Sequence, residues 1–203
     1  FGIYRSEPIL SNMKEVQKTF IEMISLIHKY NYAAPIELKK RYSSLEISKY
    51  SKQIENMFLP QIVKTEHDTL INNFCKGKRD TLIANICYIN AITKKLGFKG
   101  KILHSGKKNN YMKKHITDFI IDTSNNKIVK KELRKHFSKV FPVDISTSIE
   151  KNQKEIKKNW KIVTQSIDEI HGQMENAIHG HNVAKRQIER IIGEWMNGKQ
   201  TGY

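Results

Sequence analysis

Between Met13 and His28 the apolar residues Met13, Val16, Phe20, Met23, Ile24 and Ile27 recur at intervals of three and four, which predicts an amphipathic helix. The stretch from Asn31 to Pro35 interrupts it. Ser43 and Glu46 have the spacing of a capping box, in which hydroxyl and carboxylate each satisfy the other's backbone amide. Ile47, Ile54 and Phe58 then carry a helical pattern that is expected to stop before Pro60. Thr65 to Phe74 predicts another short helix. After a turn at Gly77, Asp80 or Thr81 is placed to cap a helix running to Leu96, with Leu82, Ile83, Ile86, Ile89, Ala91 and Ile92 inward. Gly97 is a suitable stop, because glycine tolerates the left-handed conformation that ends helices.

The pattern then changes. Lys101 to His104 and Ile116 to Asp122 predict short strands, the second β-branched and aromatic and followed by the turn sequence Thr123 to Asn126. Ile128 and Val129 are expected to return as a partner strand, with a short helix over 131–137 leading to Phe141 and Pro142. Beyond that point Ile149, Ile156, Trp160, Val163, Ile167, Ile170, Met174 and Ile178 follow one another at 7, 4, 3, 4, 3, 4 and 4 residues. This is an a/d seam on one long helix, suited either to a coiled coil or to packing on its own domain, with Ser146, Thr147 or Ser148 as cap. Gly172 weakens that helix by about 1 kcal/mol, and Gly180 is expected to end it. Asn182 then caps a second helix whose inward side is Val183, Ala184, Ile188, Ile191, Ile192 and Trp195, closed at Gly198. The expected fold is mainly α with a small β element near 100–130 (an α+β class). It divides into an accessory domain over 1–142 and, over 143–203, a long linker helix with a helix–turn–helix corner.

Composition narrows the class. The chain has 203 residues, 38% of them hydrophobic, which is enough for a packed core. Two cysteines exclude a disulfide scaffold and a tetrathiolate zinc site. No apolar run approaches the ~20 residues of a membrane span, and Arg5, Glu7 and Pro8 stand where a signal peptide would be apolar. The sequence therefore reads as a cytoplasmic, basic protein without membrane contact.

The net charge of +16 needs a correction before it points to a partner. The chain has 30 Lys to 6 Arg, 29 Ile to 10 Leu, and 16 Asn, the skew of an AT-rich genome. Location is more informative than total: residues 94–139 hold 14 basic and 3 acidic residues, a net +11 that codon bias does not explain. Lys99, Lys101, Lys107, Lys108, Lys113 and Lys114 flank the expected strands, and Lys130, Lys131, Arg134 and Lys135 lie on the helix after them. Lysines of this kind make point contacts with phosphates, and Phe98, Tyr111 and Phe119 are interleaved where rings would stack on bases. The expected partner of this stretch is nucleic acid or an acidic protein.

Catalytic constellations are weaker. Cys75 or Cys87, His115, and Asp118 or Asp122 follow the order of a transglutaminase-like cysteine hydrolase. Neither cysteine falls at a helix N-terminus, where the dipole would favour thiolate. His171, His179 and His181 do not share one helix face, and no metal site is expected. A phosphate loop needs G-x-x-x-x-G-K-[ST]. From Gly100 to Gly106-Lys107 there are five intervening residues, and Lys108 stands in place of Ser or Thr. Ile120-Ile121-Asp122 supplies one carboxylate, not a Walker B pair. No complete active site is expected in these residues.

The C-terminal residues carry a resemblance. Ile167-Asp168-Glu169-Ile170, then Ala177-Ile-His-Gly-His-Asn-Val-Ala-Lys-Arg-Gln-Ile188, then Ile191-Ile192 and Asn197 to Tyr203, resemble the run just before the Walker A loop in Lon-like AAA+ ATPases of large DNA viruses and some phages. The resemblance covers roughly 164–203 and lacks the phosphate loop itself. It implies that Ile178, His179 and Gly180 line an adenine pocket, with His179 where the family commonly has Tyr. It also implies ATP and Mg as cofactors of the parent protein, none within this chain, and an oligomer assembled through the AAA+ module. The start at Phe1 and the end at Tyr203 fit a piece of something longer. Residues 1–145 resemble no family, including the β-rich N-terminal domain of ordinary Lon proteases.

Overall fold

The computed structural model describes residues 3–32, 36–97, 103–105, 108–141, 143–177 and 180–196. The chain forms two compact units: residues 61–144 make one, while 1–60 and 145–203 together make the other. The expected boundary at 142/143 falls two residues from the junction at 144/145. Residues 1–60, however, belong with the C-terminal helices and not with the middle of the chain.

The discontinuous unit is built on α1 (Ile3–Lys29) and α7 (Ile145–Ala177), which pack along each other. α1 is the helix expected from Met13 to His28, extended toward the N-terminus. Ile9, Met13, Val16, Phe20, Met23, Ile24 and Ile27 are all buried, and their spacing is one helical stripe. Past the end of the helix at Lys29, Asn31 with a positive φ of 56° makes the left-handed cap while Tyr32 N–H reaches the Ile27 carbonyl. On α7, Ile149, Ile156, Val163 and Met174 of the heptad seam are buried. Ile9 and Met13 pack against Val163, with Trp160, Ile167 and Ile170 closing over them. The seam that resembled a coiled coil is therefore covered within the chain by α1.

α2 (Ser44–Gln53) starts with the expected capping box: Ser43 Oγ accepts from Glu46 N–H, and Ser43 N–H donates to Glu46 at 2.9 Å. This helix does not stop before Pro60. A five-residue π-turn, Ile54–Phe58, carries it into α3 (Leu59–Cys75), and Leu59 N–H donates five residues back to the Ile54 carbonyl. Proline lacks the amide for an ordinary turn and its ring crowds the carbonyl four residues earlier; a widened turn just before it relieves that clash. Gln153 and Lys157 of α7 reach Ser51 O and Glu55 respectively, which ties this segment to the same unit.

The continuous unit contains the rest of α3, then α4 (Arg79–Lys95), α5 (Asn109–Asp122) and α6 (Lys127–His136), and α4 packs on both α5 and α6. Its core is a cluster of Leu70, Phe74, Leu82, Ile86, Ile89, Ile92, Leu103, Met112, Ile116, Phe119, Ile120, Val129 and Leu133. Gly77 turns with φ +114°, and a Cβ there would meet the Thr81 side chain at 3.0 Å. α4 begins with Lys78 at its cap position, two or three residues earlier than Asp80 or Thr81 would have set it, and Gly97 (φ +60°) follows its end as expected.

The β element is a correction: there is no strand among the described residues. Ile116 to Asp122 lies on α5, and Ile128 and Val129 lie on α6. The buried residues of α5 are Met112, Ile116, Phe119 and Ile120, a helical stripe, while Ile121 is half exposed. Packing on α4 selects that period over the β preference of the individual residues. The first expected strand lies partly outside the described residues. Its Leu103 is held by a side chain in place of a strand partner: Asn90 Nδ2 donates to the Leu103 carbonyl at 2.8 Å, and Asn90 Oδ1 accepts from Leu103 N–H at 2.9 Å.

Candidate functional site

Two regions carry the chemistry expected from the sequence. The first is the corner between α7 and α8 (Asn182–Met196). Gly180 turns the chain there with φ +86°, a conformation that strains any residue with a Cβ. Helix α8 begins at Asn182, and it is the His181 carbonyl that accepts from Lys185 N–H. An ion pair, Lys185 to Glu175 at 2.9 Å, and a contact of His171 with Glu189 at 3.3 Å join the flanking helices. Ile192 is buried, whereas Val183 is largely exposed. Ile178 and His179, the other two expected adenine contacts, lie outside the described residues.

The second region is the basic stretch, all of it in the continuous unit. That unit, residues 61–144, holds 18 basic and 7 acidic residues, net +11, against +5 in the other. Lys99, Lys101, Lys107 and Phe98 lie outside the described residues. Lys108 stands at the N-terminal cap position of α5, and Lys113 and Lys114 are exposed on that helix. Tyr111 is exposed and stacks obliquely on His115, with ring centroids 4.1 Å apart. Phe119 is buried in the core and offers no ring to a ligand.

The four basic residues expected on the following helix separate. Lys131 and Lys135 face outward on α6. Arg134 does not: it is 5% exposed, and its guanidinium pairs with the buried Glu66 on one side and with Asp144 on the other. Lys130 lies 4.0 Å from the same Glu66 carboxylate, its side chain only 16% exposed. These two cations neutralise a buried carboxylate, so Arg134 is removed from the expected contact surface. Arg134 thereby joins Glu66, just after the chain enters this unit, to Asp144, where it leaves.

The sequence reading missed an aromatic stack beside Lys135. His136 lies flat against Tyr88 of α4, centroids 4.0 Å apart at 25°, and nearly parallel to Phe74 at 5.5 Å. Asn85 fixes the imidazole. Its Nδ2 donates to the Phe74 carbonyl, so its Oδ1 is free to accept from His136 Nε2 at 3.3 Å. With that proton on Nε2, the neutral ring keeps Nδ1 as an acceptor. Water displaced by the surrounding rings lowers the pKa of His136 below its ordinary value, although the residue as a whole stays exposed. Tyr88 hydroxyl donates to the Glu132 carbonyl at 2.9 Å, locking α4 to α6. The sequence signal was present in retrospect: Tyr88 follows Phe74 and Asn85 on the inward stripes of α3 and α4, and His136 ends α6.

The cysteine constellation does not assemble as a strand-borne triad, because His115, Asp118 and Asp122 are all on helix α5. Cys75 Sγ lies 3.6 Å from the Lys113 carbonyl and 3.7 Å from Thr117 Oγ1, and burial pushes its thiol pKa up, away from thiolate. Cys87 is exposed. His28 and His67 donate to backbone carbonyls, of Ile36 and Ile120 respectively. Among the described residues there is no group of three His, Cys, Asp or Glu placed to hold a metal ion, and no helix long and apolar enough to cross a membrane.

The arrangement defines a mainly helical chain of two units, one of them strongly basic. Compared with known protein families, curated proteins and solved structures, it matches none.

Proposed function

We propose that this chain is the N-terminal accessory and linker region of a Lon-like AAA+ ATPase, with the basic unit binding a substrate or partner and α7, α8 and their corner beginning the nucleotide module. The observation that carries the reading is the run Ala177 to Ile188 with Ile191-Ile192; Ala177 ends α7, Gly180 has a left-handed φ, and Asn182 onward lies on α8. In such a module the corner lies against adenine, and Ile178, His179 and Gly180 supply apolar atoms and backbone groups to the base. The phosphate loop, the Mg-binding carboxylates and the ring-forming surfaces belong to the ATPase core and not to these residues.

The decisive test is the coding sequence beyond Tyr203. A hydrophobic strand followed by GPPGxGKT is the expected result, and an immediate stop codon would overturn the proposal. In a chain that carries such a core, His179→Ala is expected to raise KM for ATP more than it lowers kcat, the signature of lost ground-state contact with the base.

A further inference from the structure

The charge on the continuous unit is not spread evenly around the rings described above. Lys131 and Lys135 are exposed on α6, the helix that His136 ends, and Lys95 ends α4, the helix that carries Tyr88. Glu132 lies among them. Its carboxylate pairs with Lys135 at 2.6 Å, and that hydrogen bond, with the charges of Lys135, Lys95 and Lys131, holds its pKa below the usual carboxylate value. One acid is thus paired with Lys135 and lies in the field of lysines from two helices. The Tyr88 to Glu132 hydrogen bond fixes the stacked rings to the same point.

We propose that this α4–α6 surface is a binding site for single-stranded nucleic acid, with His136 and Tyr88 as a stacking platform for bases and Lys95, Lys131 and Lys135 as phosphate contacts. It names the partner of the unit given a binding role above and rests on that role, not on the ATPase. Three features favour a single strand. Stacking requires an unpaired base, since a duplex buries its base faces. The cations are lysines, which hold phosphates as point charges and lack the planar fork that reads guanine in a groove. The platform is preorganised: Asn85 and Phe74 already hold His136 in plane, so little ordering is required when a base arrives. An acidic protein would be satisfied by the lysines but has no use for two flat, partly open rings.

The test is fluorescence anisotropy of the full chain with short labelled oligo(dT) and oligo(U), a duplex of the same length, and polyglutamate. Single strands are expected to bind more tightly than the duplex or polyglutamate, with affinity falling steeply between about 50 and about 200 mM salt. Lys95→Ala and Lys131→Ala should each reduce the salt slope by about one, whereas Lys154→Ala and Lys161→Ala on α7 should leave it unchanged. Glu132→Gln should tighten binding by removing the competing carboxylate. His136→Leu should weaken it by about fivefold or more while His136→Phe retains it, which separates lost stacking from lost folding. Salt-independent binding, equal loss from the α7 lysines, or tighter binding of duplex or polyglutamate would each overturn the assignment. The gene sequence beyond Tyr203 bears only on the ATPase, so the two proposals fail separately.

Discussion

Arg134 shows how far one side chain can depart from its sequence context. It stands in a run with Lys130, Lys131 and Lys135, yet it is the most deeply buried of the four, because Glu66 is buried opposite it and needs a cation. Removing one member of a buried pair leaves the other charge uncompensated, which costs about 3–5 kcal/mol. Arg134→Met is therefore expected to destabilise by about that amount, measured by urea unfolding, while Glu66→Leu with Arg134→Met recovers most of it. Equal loss in the single and double variants would show that Glu66 is not the group being neutralised. His136 carries a second prediction. Its folded pKa lies below the ordinary 6.5, so the unfolded chain takes up a proton first as the pH drops. Its contribution to stability is complete above about pH 6.5 and is lost as the pH falls toward the folded value. The groups around it are Asn85, Phe74, Tyr88 and Phe137, with Lys135 and Glu132 on its own helix. His136→Phe should keep the stack and flatten that acid-side decline in the pH dependence of the melting temperature.

Single elements were legible where a local device defined them. The Ser43–Glu46 box, the glycine after α4 and the turn at Gly180 depend on residues adjacent in sequence, and each stands where expected. Ser43→Ala should cost about 1 kcal/mol, read as a lower urea midpoint with an unchanged slope. The elements that went astray are those decided by distant partners. Ile116 to Asp122 has the composition of a strand, but extending the pattern back to Met112 gives a stripe that fits only a helix on α4. Pro60 has the look of a terminator, and the π-turn before it lets the helix continue. Of the expected contact residues, Lys131 and Lys135 kept their exposure, while Lys130 and Arg134 are drawn to Glu66, 64 and 68 positions away in sequence. No local pattern could have revealed that distance. For the stack of Tyr88 on His136, the stripe positions of Phe74, Asn85 and Tyr88 were legible, but not that the end of α6 meets them.

For the whole molecule, the consequential fact is that one unit is assembled from both ends of the chain. α1 buries its stripe on α7, which lies more than a hundred residues later. A chain ending at Asp144 is expected to retain hydrogen-exchange protection in α4, α5 and α6, whose core is contiguous, and to lose it in α1. Undiminished protection of α1 in that truncation would refute the dependence. The amino-acid sequence sufficed for the mainly helical class, the long α7 seam, the glycine corner and the concentration of charge, because each rests on spacing or composition within a short window. Which helix covers that seam, whether residues 116–122 form a strand, which cations turn inward and which rings meet were settled by packing. Those outcomes depend on burying one stripe against another, and the stripe that does so lies far off in the sequence.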